Sequence, residues 1–230
     1  MSKEQEKKDD NFMLDAEVAY TKAEHWIEEN KKVITIGVST VLIVVLGYFG
    51  WTKWYIAGQE KEAAGQMFMA ETYFEKDSFN LALNGDANYP GFNTIIEDYP
   101  YTKQANLAHY YAGVAQLNLG LWDEAIESLE SFDSDDQMVA PVAKGGIGDA
   151  YVEKGETEKG IKYFMEAAEL GSNKFITPVY LMKAGLAYED LGKWDEAVKI
   201  YDRIKKEYSE SAEARDIEKY IARAKNQTNG

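Results

Sequence analysis

Three segments of the sequence repeat one another at a nearly constant spacing. They are AHYYAGVAQLNLGLWDEAIESLESF from Ala108, KGGIGDAYVEKGETEKGIKYFMEAA from Lys144 and LMKAGLAYEDLGKWDEAVKIYDRI from Leu181. Their central glycines, Gly120, Gly155 and Gly192, are 35 and 37 residues apart. A fixed period of this length indicates stacked helical units, each of which buries a face against its neighbours.

A second set of residues marks the places where the two helices of one unit meet. Seven residues before each central glycine stands another one, Gly113, Gly148 or Gly185, which we expect where two helices approach too closely for a side chain. In the second helix a small residue is followed four positions later by a large one. These pairs are Ala125 with Leu129, Gly160 with Phe164, and Ala197 with Tyr201. The alternation resembles the signature of the tetratricopeptide repeat (TPR), a helical hairpin with a period of about 34 residues.

The resemblance implies an all-α chain that forms a TPR superhelix, with three units in residues 100–210. Composition agrees, because Ala, Glu, Lys, Leu and Tyr dominate and only 4 residues are Pro. Residues 211–230 contain few apolar side chains, as required of a capping helix whose outer face meets water, followed by a tail.

A degenerate unit is expected before the three clear ones. Residues 53–99 are interpreted as a linker helix and this unit, which would bring the array to about three and a half repeats. Its first helix is predicted over 60–76, LALNGDAN (81–88) forms a turn, and a helix over 89–99 ends at Pro100.

Residues 33–52 contain no charged side chain and include VLIVVLGYFGW. As a helix these 20 residues extend about 30 Å, the thickness of a bilayer's hydrocarbon core, so a single N-terminal transmembrane helix is predicted. The side chains that represent this membrane anchor are Val33, Leu42, Val45, Phe49, Trp51 and Trp54. A buried core helix is disfavoured, because a globular helix is seldom apolar on every face. A cleaved signal peptide is also disfavoured, because no A-x-A pattern follows.

The orientation of this span is predicted from the chain on either side. Residues 33–230 contain 19 basic and 31 acidic residues, whereas the preceding segment is short. We therefore expect residues 1–32 in the cytoplasm and the repeats on the other side.

The cytoplasmic arm contains a short stretch with helical spacing. Its members Leu14, Val18, Thr21 and His25 indicate a short amphipathic helix. This helix either lies on the membrane surface or on a partner, or it simply prolongs the transmembrane helix.

Charge and residue types exclude several classes of function. A formal charge of −15 disfavours nucleic acid as a partner, since that binding requires clustered Lys and Arg. The chain has no Cys, and His25 and His109 lie on opposite sides of the predicted span. No Ser-His-Asp, HExxH, P-loop or GxGxxG pattern occurs. The sequence therefore predicts no catalytic residues, no metal site and no cofactor, and a role other than that of an enzyme.

In a TPR array the first helix of each hairpin lines the concave face, where partners bind. The register predicts a partner-binding face made of Leu107, Tyr110, Val114, Leu117, Val142, Asp149, Val152, Glu153, Val179, Met182, Glu189 and Asp190. These positions lack the basic clamp with which some TPR domains hold acidic chaperone tails. An apolar groove with an acidic end suits a hydrophobic or basic polypeptide. The alternative is that about half of these side chains pack between repeats.

The order of a short arm, one transmembrane helix ending near residue 52 and TPR hairpins resembles the YfgM-type ancillary subunits of the bacterial Sec translocon. The resemblance implies a protein of the bacterial inner membrane whose repeats face the periplasm. It also implies partners, namely the SecYEG translocon, a PpiD-like periplasmic chaperone and unfolded secretory polypeptides, besides the lipid bilayer.

Two other functions stay open. YPYTKQAN (99–106) resembles linkers in outer-membrane assembly lipoproteins, which favours a cell-envelope assembly or division scaffold without a translocon role. Such proteins usually carry a lipidated cysteine, and this chain has none. Membrane-anchored TPR domains also occur in cytochrome c biogenesis, but no haem ligand or thiol supports that function here.

Overall fold

The structure is a computed structural model that describes residues 3–171 and 173–228. The chain divides into two compact units, residues 1–57 and 58–230, and each is described by itself. All elements within the described residues are helices. This confirms the all-α fold class.

The first unit is one long helix followed by a π-helical segment. Helix α1 covers Lys3–Gly50, and the π-helix covers Trp51–Ile56. No proline precedes Pro90, so nothing in the covalent chain interrupts the helix. The residues of the predicted amphipathic arm belong to α1, and the side chains of Leu14 and Val18 lie outside the described residues.

The second unit begins with the degenerate repeat, whose turn differs from the prediction. Helix α2 covers Ala57–Glu75, α3 covers Phe79–Asn84 and α4 covers Phe92–Asp98. The predicted turn at 81–88 was wrong in its first half, because residues 81–84 are helical. Ala82 and Leu83 are buried in α3 against the core of this repeat, and burial outweighs the turn preference of the Asn-Gly pair that follows. The second predicted helix starts three residues late, after Gly91.

Three hairpins follow, each with the same turn between its helices. They are α5 (Lys103–Leu119) with α6 (Trp122–Ser131), α7 (Val139–Glu153) with α8 (Thr157–Gly171), and α9 (Thr177–Asp190) with α10 (Trp194–Glu207). In the first turn, the Leu121 N–H donates to the Gln116 carbonyl at 2.9 Å and the Gly120 N–H to the Leu117 carbonyl at 3.1 Å, the pattern of a Schellman cap. The three central glycines have φ of +67° to +78°, which glycine adopts without strain.

The predicted close approach of the two helices in each hairpin is confirmed. A Cβ atom added at Gly113, Gly148 or Gly185 would overlap the large residue of the second helix that the sequence pairs with it. At Gly148, for example, the added atom would lie 2.6 Å from Cδ1 of Phe164 and 3.1 Å from the Gly160 carbonyl oxygen.

The last hairpin is covered by a terminal helix. A 3₁₀ turn at Glu213–Asp216 leads into α11 (Ile217–Thr228), which therefore begins six residues later than the predicted cap. Ile217, Ile221 and Ala224 are buried against the core of the third hairpin. The intervening positions are mostly charged and exposed, as a cap requires.

Candidate partner-binding face

The first helices of the three hairpins present equivalent positions to one another. Taking Gly113, Gly148 and Gly185 as equivalent, the twelve predicted partner-binding residues fall into two stripes along α5, α7 and α9. The outer stripe follows i, i+7, i+11 spacing, which keeps side chains on one helix face. Its members are Leu107, Val114 and Asn118 on α5; Val142, Asp149 and Glu153 on α7; and Val179, Leu186 and Asp190 on α9.

Two of these nine residues were missed by the sequence analysis. Leu186 occupies the same position as Val114 and Asp149, and it is 41% exposed, so an apolar side chain of α9 meets solvent there. Asn118 is the exposed equivalent of Glu153 and Asp190. The repeat register that located the other seven also contains the signal for both residues.

The inner stripe contains the remaining predicted residues, and its apolar members pack against the buried cores of the hairpins. Its members are Tyr110, Leu117, Val152, Met182 and Glu189. The four apolar members contact the buried cores of the hairpins. The Tyr110 ring centre lies 5.3 Å from that of Phe132, and burial raises the pKa of the Tyr110 hydroxyl. Leu107 and Val114 of the outer stripe pack against buried clusters as well. The assignment of these side chains to partner binding stays a prediction.

Small residues allow this packing between consecutive first helices. A Cβ at Gly145 of α7 would overlap the ring of Tyr180 on α9, and one at Gly146 would lie 3.1 Å from Cδ1 of Leu117 on α5. Tyr180 is 7% exposed, and burial raises the pKa of its hydroxyl to about 12. These contacts bring α7 close to both α5 and α9.

One ion pair links α7 to α9, and another links α9 to the capping helix α11. The Lys183 ammonium donates to the two carboxylate oxygens of Asp149 at 2.7 and 2.6 Å. The Arg223 guanidinium donates to Glu189 at 2.6 Å, and this carboxylate is only 10% exposed. Two of the four predicted carboxylates are therefore neutralised by the following repeat or by the cap.

The carboxylates of Glu153 and Asp190 are exposed at equivalent positions on α7 and α9. Val142, Val179 and Leu186 are the apolar residues at the other positions of the outer stripe on these two helices. We call these five residues the candidate face. It combines apolar patches with two acidic ends, and those features suit an apolar segment that carries Lys or Arg.

The six predicted anchor side chains are all solvent-exposed or half-exposed in the first unit. They are Val33, Leu42, Val45, Phe49, Trp51 and Trp54. The helical stretch that contains them is long and apolar enough to cross a membrane, and none of its apolar window is buried within the protein.

His109 on α5 lies in surroundings that disfavour its charged form. Its Nδ1 atom is buried without a hydrogen-bond partner, and burial lowers its pKa below 6.5 although the Glu127 carboxylate acts in the opposite direction. In the part of the chain that the structure describes, no three His, Cys, Asp or Glu side chains are grouped so that they could hold a metal ion.

Comparison with known proteins identifies the repeats. Two tetratricopeptide repeat models match, one at residues 107–135 and 180–211 and the other at 143–173. A search of the curated proteins finds no match.

Two solved structures illustrate the similarity of the fold. A Podosopora anserina kinesin light chain protein with nearly identical TPR-like repeats has a TM-score of 0.55 at 14% identity, over 73% of this chain and 87% of its own. MamA has a TM-score of 0.50 at 20% identity, over 70% of this chain and 94% of its own. The chain therefore contains tetratricopeptide repeats and has the TPR superhelix fold.

Proposed function

We propose that this protein is a membrane-anchored TPR scaffold of the bacterial inner membrane that serves the Sec translocation machinery as an ancillary subunit. Its repeats face the periplasm and bind SecYEG, a PpiD-like chaperone or an emerging secretory polypeptide. The observation that carries the proposal is the joining, in one chain, of an unburied apolar helix to TPR hairpins.

Aromatic residues at the two ends of the apolar helix support the anchor. Trp26 lies before the uncharged span, whereas Trp51, Trp54 and Tyr55 lie at its end. Trp51 is 25 residues beyond Trp26, a distance of about 38 Å along a helix, close to the roughly 40 Å of a bilayer with its interfacial layers. Indole rings prefer these interfaces, so both ends of the span have suitable side chains.

The candidate face supports a polypeptide as the partner. Val142, Val179 and Leu186 supply apolar contact, and Glu153 and Asp190 supply negative charge one repeat apart. A secretory chain that has not yet folded offers apolar and basic side chains in extended sequence, and both can be satisfied by this arrangement. Nucleic acid would be repelled by it.

Protease treatment of spheroplasts tests the topology. We expect added protease to digest the chain after residue 60 and to leave the N-terminal arm intact. Digestion of the arm with protection of the repeats would place the TPR array in the cytoplasm and refute the proposed location.

Affinity purification in mild detergent, followed by mass spectrometry, tests the partner. Co-purification of SecYEG or a PpiD-like chaperone supports the proposal. Recovery of cell-envelope assembly or division proteins without translocon subunits would favour the other scaffold function.

A further inference from the structure

A pocket opens at the end of the third hairpin, on the edge where consecutive repeats are joined. Its volume is about 620 Å³, within the range of pockets that hold ligands in proteins. One wall is the loop before α9, with Lys174 and Phe175, and the other consists of residues 207–213, from the end of α10 to the start of the 3₁₀ turn. None of these residues belongs to the candidate face. We call this the loop pocket.

The Phe175 ring lines the loop pocket and is held there by its backbone. The ring is 78% exposed, yet Oδ1 of Asn173 accepts from the N–H groups of Phe175 and Ile176 at 2.9 and 2.8 Å. Thr177 anchors the same loop, because it is fully buried and its hydroxyl donates to the Ala168 carbonyl at 3.0 Å. The fold thus fixes a large apolar ring in contact with solvent, and a partner that covers this ring gains free energy.

The charged side chains that line the loop pocket are three carboxylates and one ammonium group. The carboxylates belong to Glu207, Glu210 and Glu213, and the ammonium group belongs to Lys174. Lys174 lies 3.5 Å from Glu210, and the two side chains are 80% and 84% exposed, so this ion pair is weak and can be exchanged for another. Glu207 accepts from Arg203 at 3.1 Å. With both pairs formed a negative charge still remains, which favours a cationic ligand and repels an anion.

The preceding repeat has an exposed apolar side chain at the equivalent position. Met138 precedes the close-contact glycine of its helix by ten residues, as Phe175 does, and it is 49% exposed. The two loops are neighbours, since Nδ2 of Asn173 donates to the Gln137 carbonyl at 3.5 Å. Residues 133, 135 and 136, which come before Met138 in its loop, are all Asp. Both loops therefore combine an exposed apolar side chain with nearby carboxylates.

We propose that the loop pocket is a second polypeptide-binding site, which takes a segment of a partner protein with Arg or Lys beside an apolar residue. A guanidinium or ammonium group between Phe175 and Glu213 gains a cation–π contact and a charge-assisted hydrogen bond. The apolar residue next to it packs along the same edge, towards Met138. The site lies outside the candidate face and depends neither on the membrane anchor nor on the translocon role.

Fluorescence anisotropy with the full-length chain in a neutral detergent tests the proposal. The probe is a fluorescein-labelled hexapeptide of alternating arginine and leucine, and the control peptide has glutamate in place of arginine. Phe175→Ala and Glu213→Gln alter the loop pocket. Phe68→Ala is the matched control, because it removes another exposed aromatic side chain, on α2. A double variant, Glu153→Gln with Asp190→Asn, alters the candidate face instead.

We expect the wild-type chain to bind the arginine peptide in preference to the glutamate peptide. Phe175→Ala should weaken this binding about fivefold or more, Glu213→Gln should weaken it as well, and Phe68→Ala should leave it unchanged. No binding by the wild type, or equal binding by Phe175→Ala, would overturn the proposal.

Two other outcomes would overturn the loop pocket as a site for a partner protein. Loss of peptide binding in the candidate-face variant alone would assign the peptide to that face and leave the proposed function in place. Light scattering in the same detergent provides the second check. A dimer of the wild type that Phe175→Ala dissociates would mean that a second copy of this chain covers the ring.

Discussion

The close contact at Gly185 allows a quantitative test of the helix packing. A Cβ atom there would lie 2.9 Å from Cζ and 3.0 Å from Cδ1 of Tyr201, and closer still to Cε1. The Tyr201 side chain is fully buried between α9, α10 and α11, so its ring has no free space into which to move. We therefore expect Gly185→Ala to destabilise the array by overpacking, at a cost of about 1–3 kcal/mol.

Gly65 provides a matched control on α2. An added Cβ at Gly65 meets no atom within 4 Å, and the residue is exposed in a helix. Gly→Ala in a helix is favourable by about 1 kcal/mol, and this gain is common to both variants. The difference between the variants should then be the overpacking term alone.

Thermal unfolding of the full-length chain in mild detergent, followed by circular dichroism, measures this difference. For a domain of this size, about 1–3 kcal/mol corresponds to a Tm about 2–12 °C lower for Gly185→Ala than for Gly65→Ala. Equal Tm values would show that the first and second helices of the third hairpin do not approach as closely as the register requires.

The packing and charge of the first helices can be tested at His109, Tyr110 and Lys183 as well. The pKa of His109 is lowered in the folded state, so between that pKa and 6.5 the unfolded state binds more protons, and the free energy of unfolding should fall as the pH drops below 6.5. Urea titrations at several pH values should give a steeper pH dependence for the wild type than for His109→Gln. Equal pH dependences would refute the lowered pKa of His109. Tyr110→Asp places a carboxylate against Phe132 and should lower the free energy of unfolding by at least about 2 kcal/mol in the same assay. Glu153→Gln, at an exposed position, should change it by no more than about 0.5 kcal/mol. Equal effects would mean that the Tyr110 side chain faces solvent instead of packing against Phe132. Lys183→Met breaks the ion pair with Asp149, whose two side chains are 38% and 41% exposed, so the free energy of unfolding should fall by no more than about 1 kcal/mol. A larger loss would mean that the ion pair is more deeply buried than in this structure.

The period, the central glycines and the close-contact glycines could be predicted from the sequence because each depends on local geometry. A left-handed turn needs a residue such as Gly120, and a tight helix crossing needs one such as Gly148. The helix α3 could not be predicted, since Ala82 and Leu83 are helical through burial against other elements of the repeat.

The packing of the first-helix side chains could be predicted only in part. The register shows which residues share a side of the first helix, but the neighbouring repeat decides which of them it covers. Tyr110 and Val152 were assigned to partner binding, and the structure packs both against the buried cores of the hairpins. Leu186 was overlooked, although its equivalents Val114 and Asp149 were included.

Site-specific photocrosslinking tests most directly whether the candidate face captures a polypeptide. A photoreactive amino acid replaces Glu153, which is exposed on α7, or Lys162, which is exposed on the second helix of the same hairpin. We predict that the probe at residue 153 crosslinks in cells to SecYEG, a PpiD-like chaperone or a secretory chain, and that the probe at residue 162 does so far less. Crosslinks that arise equally from both positions, or only from a probe at Leu42 in the apolar helix, would contradict the account.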